Sequence, residues 1–330
     1  HPDAQVVYSD HDWLDERGFG CEPCFKPAWS PDRQRLRDTV GPAVWFRRDW
    51  LLERLAAHPG GWSEDGIGFR RKLLEVVGEG EIVHVSLLLY HVSAAASGFA
   101  IGSGTIASEP IASPASVRAT AAETAGTVPV SLLIPTRDGG GHLRRCVESI
   151  ERTADGRPLE VLLIDNQSSD PDTLAFLDAC ARNPGLPAGM TLRVLRHDAP
   201  FNFSAINNRA AAVAGGEVLG LVNDDVEAIG PGWLEPLVAR AMEPGIGCVG
   251  PVLLYPDGRV QHAGVACGVG GVAAHPHRYW PGDHRGYGGW LHDPRNVSVV
   301  TGAALFLRRA LYQELGGMDE GLGVAYNDVD

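Results

Sequence analysis

The sequence lacks any apolar run near the roughly 18 residues that a membrane-spanning helix requires. The nearest stretch, Val85 to Ile101, is broken by His91 and several serines. Positive charge is scarce as well, with Lys+Arg 28 against Asp+Glu 41. Binding to a nucleic-acid backbone needs an excess of cations on one face, so that class of partner is disfavoured and none is expected. A scattered acidic balance suits a protein that holds phosphates through a divalent cation. The six cysteines follow no regular framework, and a chain of this size needs no staples, so a reducing, cytoplasmic setting is expected. Cys21-Glu22-Pro23-Cys24 has the spacing of a zinc ligand pair, but no second CxxC or HxxxH follows it. Neither a Lys-Ser/Thr phosphate loop nor a GxGxxG turn is present. The start carries no signal-peptide pattern, begins with His1, and the last residues stop inside a motif. A piece of a longer protein is therefore expected.

What is present is length and apolar content, 330 residues and 44% hydrophobic, enough for two cores. Between Ser93 and Val128 the composition turns to Ala, Ser, Gly, Thr and Pro, too poor in large apolar groups to order itself. This reading predicts one domain over 1–93, a linker over 94–127 and a second domain over 128–330. In the second, the apolar runs Val130–Ile134, Glu160–Ile164, Leu192–Leu195 and Val218–Val222 read as buried parallel strands. Helical segments at His142–Arg152, Asp172–Ala181 and Ser204–Ala214 alternate with them, which predicts βαβ units. The two halves also resemble each other. Residues 40–48 match 301–309, and an apolar strand runs into acids at both Asp10-His11-Asp12 and Asn223-Asp224-Asp225. A tandem protein is the simplest account, its first copy lacking an amino-terminal half.

Ligands of parallel α/β sheets bind at the carboxyl ends of the strands, and the unusual polar residues fall there. Asn223-Asp224-Asp225 follows an apolar strand directly. Two adjacent carboxylates repel each other unless a cation lies between them, so the pair is a candidate Mg²⁺ or Mn²⁺ site, with Asp225 the direct ligand. The competing role is a helix cap ahead of Pro231. Pro135-Thr136-Arg137-Asp138 and three glycines end the first strand, either a ligand-facing turn or an ordinary one. Asp165 and Asn166 end the second strand and offer a carboxylate and an amide to a nucleobase edge or a ribose hydroxyl. The alternative there is capping by Asp170. Asn202 and Asn207 open a helix, as cleft residues or beside a Ser204 cap.

From Val130 to Asp330 these motifs resemble the family 2 glycosyltransferases, particularly those of O-antigen and rhamnan-type polysaccharide assembly. The resemblance adds Tyr255-Pro256-Asp257-Gly258, Gln261-His262-Ala263-Gly264, Thr301-Gly302-Ala303 and Asn327-Asp328-Val329-Asp330 to those above. Residues Val6 to Val92 resemble the carboxyl half of a second such domain. The resemblance implies a GT-A fold, a Rossmann-like mixed α/β sheet flanked by helices and preceded by a partial second copy. It places Pro135, Thr136, Arg137, Asp138, Asp165, Asn166, Asn202, Asn207 and Asp224 around a nucleotide-sugar donor. Asp225 becomes the metal ligand of a DxD-type motif and Asp328 the catalytic base, with Asn327 beside it toward the acceptor. A glycan or lipid-linked acceptor handled at the inner face of a membrane, with peripheral membrane association, is implied too. The first copy carries Ser63-Glu64-Asp65-Gly66-Ile67 where a paired acidic motif is usual, which departs from the pattern.

Chemistry supports these residue types. A divalent cation stabilises the charge left on a departing diphosphate, and a carboxylate accepts the proton of an attacking hydroxyl. One base opposite the leaving group implies inversion. Aromatic residues from His275 to Trp290 read as an acceptor-side loop, with Trp280 and Trp290 its anchors and His262 in the cleft. His275 and His277 alone do not make a metal site. Two other classes compete. A sugar nucleotidyltransferase would need a basic triphosphate loop, and Arg137 is a thin substitute. A non-catalytic carbohydrate-binding relative would show no transfer.

Overall fold

The computed structural model describes residues 3–15, 17–36, 38–41, 43–57, 66–78, 80–93, 127–182, 185–267, 273–324 and 327. The predicted linker, except Thr127, and Asp328 lie outside the described residues. The chain divides into two compact units, His1–Ser116 with Asp283–Asn296, and Val117–Gly282 with Val297–Asp330. Residues 283–296 thus group with the first unit, where the sequence reading had kept 128–330 together. The reason is local: Tyr287 Oη donates to Pro23 O (3.1 Å) and accepts from Phe25 N (2.7 Å), and Asn296 N donates to Ser30 Oγ (3.1 Å).

In the first unit β1 (Val6–Leu14) is the central strand. Its opening Val6-Val7-Tyr8 has the β-branched and aromatic character that a pleated, half-buried surface favours. Antiparallel β2 (Gly20–Cys24) and β3 (Val44–Phe46) pair with its two ends, and β4 (Ile82–Ser93) runs parallel to it. Its described residues form three helices: α1 (Pro31–Leu36), α2 (Arg48–Ala57) and α3 (Gly66–Glu75). Trp50 from α2 and Leu73 and Leu74 from α3 close over Val6, Tyr8 and Ile82.

The second unit is built on five strands in the order β13-β8-β5-β6-β7. Parallel β5 (Val130–Thr136), β6 (Leu159–Asp165), β7 (Met190–Arg196) and β8 (Val218–Val222) carry antiparallel β13 (Ala304–Arg308) at one edge. The interior strands are nearly continuous apolar runs because both faces are covered. Leu132 and Ile134 face one side with α4 (Gly140–Thr153), α5 (Pro171–Arg182) and α7 (Leu234–Ala241). Leu133, Leu162 and Ile164 face the other, under α6 (Phe203–Val213) and α8 (Arg309–Glu314). Short pairs complete the unit, β9 (Leu253–Leu254) with β10 (Val260–His262) and β11 (Ala266–Cys267) with β12 (Ala273–Ala274). The four predicted strands and three predicted helices are all present. The chain steps outward through β5, β6 and β7, then returns past β5 to β8. A crevice opens where the strand order reverses.

The repeated segments form equivalent elements. β3 pairs antiparallel with β1 as β13 does with β8, and Tyr8 opposes Val44 as Leu221 opposes Leu305. This register sets Asp10-His11-Asp12 at the positions of Asn223-Asp224-Asp225.

At Gly220 in β8 an added Cβ would lie 2.5 Å from the Phe306 ring and 2.7 Å from Leu132. Gly220→Val is expected to destabilise the second unit by about 1–3 kcal/mol through overpacking, read as a lowered urea midpoint with unchanged slope.

Candidate functional site

The crevice between β5 and β8 holds a cavity of about 460 Å³ within the second unit. Its polar wall includes Thr136, Arg137, Asn223, Asp224, Thr301 and Asn327, and its apolar wall Phe201, Phe203, Ile206 and Val324. Thr136 is the last residue of β5, and its Oγ1 donates to Asp224 Oδ2 at 2.6 Å, just beyond the end of β8. Burial raises the pKa of the Asp224 carboxyl, the Thr136 hydrogen bond opposes that shift, and the charge of Asp225 adds to it. Asp225 itself is exposed. Gly139 crosses so close that a Cβ would lie 2.4 Å from Asp224 Oδ2 and 2.6 Å from Thr136 Oγ1. Only glycine fits this approach.

Asp224 and Asp225 offer oxygen donors of the kind that Mg²⁺ and Mn²⁺ take. Burial first, and then the Asp225 charge, raise the Asp224 pKa, and a cation between the two carboxylates would oppose that shift. Among the described residues no cluster of three or more His, Cys, Asp or Glu could hold a metal by itself. Any ion here would complete its shell with ligand oxygens or water.

Several predicted site residues make scaffold contacts around the cavity. Asp138, at φ +51°, accepts from Ser169 N (2.6 Å) and Asp170 N (2.8 Å), and its own N–H donates to Ser168 Oγ (3.0 Å). Those amides lower its pKa, and it staples the turn after β5 to the turn after β6. Asp165 is 2% exposed, pairs with Arg196 and accepts from Ser168 N (3.1 Å). Asn166 borders the cavity, yet its Nδ2 is committed to His197 O (3.1 Å) and Ala199 O (2.8 Å). Asn202 caps α6 by accepting from Ala205 N (2.9 Å) and also donates to Glu320 O (2.7 Å). Asn207 is fully buried and donates to Phe203 O (2.9 Å). Pro135, Thr136, Arg137, Asn166, Asp224 and Asn327 are the expected residues that the cavity brings together.

Of the acceptor-side expectations Asn327 lines the cavity, and His262, Trp280 and Trp290 fall elsewhere. His262 is buried; Gly264 N donates to its Nε2 (3.2 Å), so its proton sits on Nδ1, 3.1 Å from His275 Nδ1. Trp280 is 40% exposed on the second unit. Trp290 belongs to the first unit, 5.6 Å edge-on from Tyr287 with Arg295 over its ring. Phe201, Phe203, Ile206, Asn223 and Val324 line the cavity without having been chosen from sequence. Phe201, Phe203 and Asn223 sit inside motifs already quoted, and that was the available signal.

In the first unit the acids at the equivalent strand end have partners within the chain. Asp10 accepts from Lys26 N (2.8 Å) and meets His84 Nε2 (2.7 Å), and Asp12 meets His91 Nδ1. Lys26 Nζ donates to Ser9 O (2.5 Å), Val40 O (2.7 Å) and Tyr90 Oη (2.8 Å), and burial lowers its pKa to about 8. Burial first, then the nearby Lys26 charge, lowers that of His11 to about 4.

Residues 131–316 match the family model described as glycosyl transferase family 2. The whole chain is 37% identical to an uncharacterized protein, y4gI, of Sinorhizobium fredii (strain NBRC 101917 / NGR234), covering 38% of it. It is 35% identical to the O-antigen biosynthesis protein RfbC of Myxococcus xanthus, covering 27% of that protein. The chain therefore spans well under half the length of these two relatives. Over 59% of the chain and 66% of the relative, identity is 30% to the N-acetylglucosaminyl-diphospho-decaprenol L-rhamnosyltransferase of Mycobacterium tuberculosis. Among solved structures, GalNAc-T7 with UDP, GalNAc and Mn²⁺ aligns with a TM-score of 0.49 and 22% identity, over 62% of this chain and 39% of that one.

Because Asp224 has a raised folded-state pKa, charging it costs stability, and that cost grows as pH rises from the unfolded value near 3.8 through the folded one. Asp224→Asn, which keeps an oxygen acceptor for Thr136, is expected to raise the thermal midpoint of the metal-free protein at pH 7. The gain should vanish below pH ~3.5, where both forms are neutral. Equal midpoints at pH 7 would show that charging the carboxylate carries no such cost.

Proposed function

The chain belongs to glycosyl transferase family 2, and we propose that its second unit transfers a sugar from a nucleoside-diphosphate donor to a hydroxyl of a glycan or lipid-linked acceptor. Cell-surface polysaccharide synthesis is the proposed setting, in keeping with the O-antigen biosynthesis protein that the whole chain resembles. The observation that carries the reading is the Thr136–Asp224 pair at the floor of the cavity, with Asp225 beside it.

In this reading the donor lies along the carboxyl ends of β5 and β8, its base and ribose toward Asn166, Phe201 and Phe203. Asp224, oriented by Thr136 and Gly139, faces the ribose or the sugar. Asp225 holds a divalent ion, Mn²⁺ or Mg²⁺, which when bound supplies Lewis-acid stabilisation to the departing diphosphate. The acceptor oxygen attacks the anomeric carbon as the bond to the diphosphate breaks, and the hydroxyl proton passes to Asp328. One displacement on the face opposite the leaving group inverts the configuration. Asn327, the residue before that base in the chain, lines the cavity. No described helix is long and apolar enough to cross a membrane. A lipid-linked acceptor would then be met by peripheral association with the inner face of the cell membrane.

Calorimetric titration of UDP, dTDP and GDP with and without Mn²⁺ tests the donor site. One nucleotide is expected to bind in a manganese-dependent manner, and Asp225→Asn is expected to remove that dependence. Binding of none of the three would overturn the donor reading. Asp328→Asn is expected to lower the transfer rate by about 10²–10⁴-fold while leaving nucleotide affinity within about twofold. Full activity in that variant removes Asp328 from the mechanism.

A further inference from the structure

Residues 254–260 and 277–282 of the second unit lie side by side and carry aromatic groups that the donor cavity does not use. Backbone hydrogen bonds fasten them along their length. Tyr279 N donates to Val260 O (2.8 Å), Val260 N to Trp280 O (2.8 Å) and Gly282 N to Gly258 O (2.9 Å). The turn Tyr255-Pro256-Asp257-Gly258 closes through Gly258 N to Tyr255 O (2.9 Å), with Gly258 at φ +81°.

On this frame Tyr255 and Tyr279 stack with ring centres 5.4 Å apart and planes within 8°. Arg278 donates twice to Tyr255 Oη (2.6 and 2.9 Å) and lies 4.9 Å from the centre of the Tyr279 ring. Trp280 stands edge-on to His277 at 4.9 Å. Although so firmly mounted, Tyr279 is 56% exposed and Trp280 40%, with Leu254 at 36% beside them. The backbone is unusual at two positions, His277 at φ +62° and Tyr279 at φ +69°. A bulky aromatic residue rarely adopts this conformation, and such strain persists where the surrounding structure enforces it, commonly at ligand sites. Here it coincides with a large ring held out toward solvent.

We propose that Tyr255, Arg278, Tyr279 and Trp280 form a saccharide subsite that binds the acceptor glycan, apart from the donor cavity; this rests on the transferase reading above. Ring faces pack against the C–H faces of a pyranose, while the adjacent guanidinium and phenol supply hydrogen bonds to its hydroxyls. That mixture favours a sugar over a protein partner, whose docking would call for a broader apolar core. A platform fixed before binding lowers the ordering cost that weak sugar contacts must overcome. It also provides a polymer-building enzyme with a grip on residues beyond the one that reacts, so affinity is expected to grow with acceptor length.

Affinity electrophoresis of the whole chain through native gels containing rhamnan, mannan or dextran tests the subsite. At least one of the three is expected to retard the chain, and Tyr279→Ala combined with Trp280→Ala to weaken that binding at least tenfold. Both side chains are exposed, so the fold tolerates their loss, which the circular dichroism of the variant checks. Tyr255→Phe keeps the stack, removes the hydroxyl and is expected to weaken binding less. Asp225→Asn is expected to leave retardation unchanged. Retardation by none of the three, or retardation that survives in the double variant, overturns the proposal. So does self-association in sedimentation runs without saccharide that the double variant abolishes, because the surface would then serve a second copy. Nucleotide titration in parallel separates the readings: missing nucleotide binding counts against the donor site, missing polysaccharide binding against this platform.

Discussion

The hydrogen bond from Thr136 Oγ1 to Asp224 Oδ2 joins strand ends that are 88 residues apart in the chain. It forms because β5 and β8 are neighbours in the sheet although β6 and β7 intervene in sequence. That order sets the carboxyl ends of β5 and β8 side by side, and the cavity lies there. The bond also holds a partly buried carboxylate whose burial and neighbouring Asp225 both disfavour its charge. Gly139 is constrained in turn, since a side chain at that position would drive into the pair. The fully buried apolar runs of β5 and β8 make the arrangement rigid, and the polar strand ends are its exposed consequence.

Around this centre, the polar groups expected at the ligand also hold the loop frame together. Asp138, Asp165, Asn166, Asn202 and Asn207 all lie at element ends near the crevice, where backbone amides and carbonyls need partners. Their side chains meet that need by stapling turns, pairing with Arg196, closing the exit of β7 and capping α6. A capping residue and a ligand-binding residue have the same chemistry, and nothing local in the sequence separates them. The rings and aliphatic groups of Phe201, Phe203, Ile206 and Val324 form much of the remaining wall.

The two acid-tipped strands show how one local pattern acquires different electrostatics. Asp10 and Asp12 occupy the register positions of Asn223 and Asp225, but His84, His91 and the Lys26 amide meet them from within the chain. β4 brings both histidines, running parallel to β1 as β5 runs parallel to β8. At Asp224 the Thr136 hydrogen bond and the His142 charge offset part of the effect of burial and of the Asp225 charge, and its pKa stays raised. The acids of the first unit thus have side-chain and amide partners within the chain, whereas Asp224 has the Thr136 hydroxyl.

By itself the sequence determined the α/β character of the second unit, its four parallel strands, its three intervening helices and the motifs that identify the family. Those features follow from local periodicity and from short runs whose spacing the chain imposes directly. Tertiary structure decided the rest: that Thr136 reaches Asp224, that Asp165 is taken by Arg196, and that Asp283–Asn296 joins the first unit. It also decided that Tyr279 and Trp280 stand exposed on a fixed frame while Trp290 packs elsewhere. Each of these depends on which distant groups share a strand order or a loop, and long-range partners leave no period in the sequence from which they could be read.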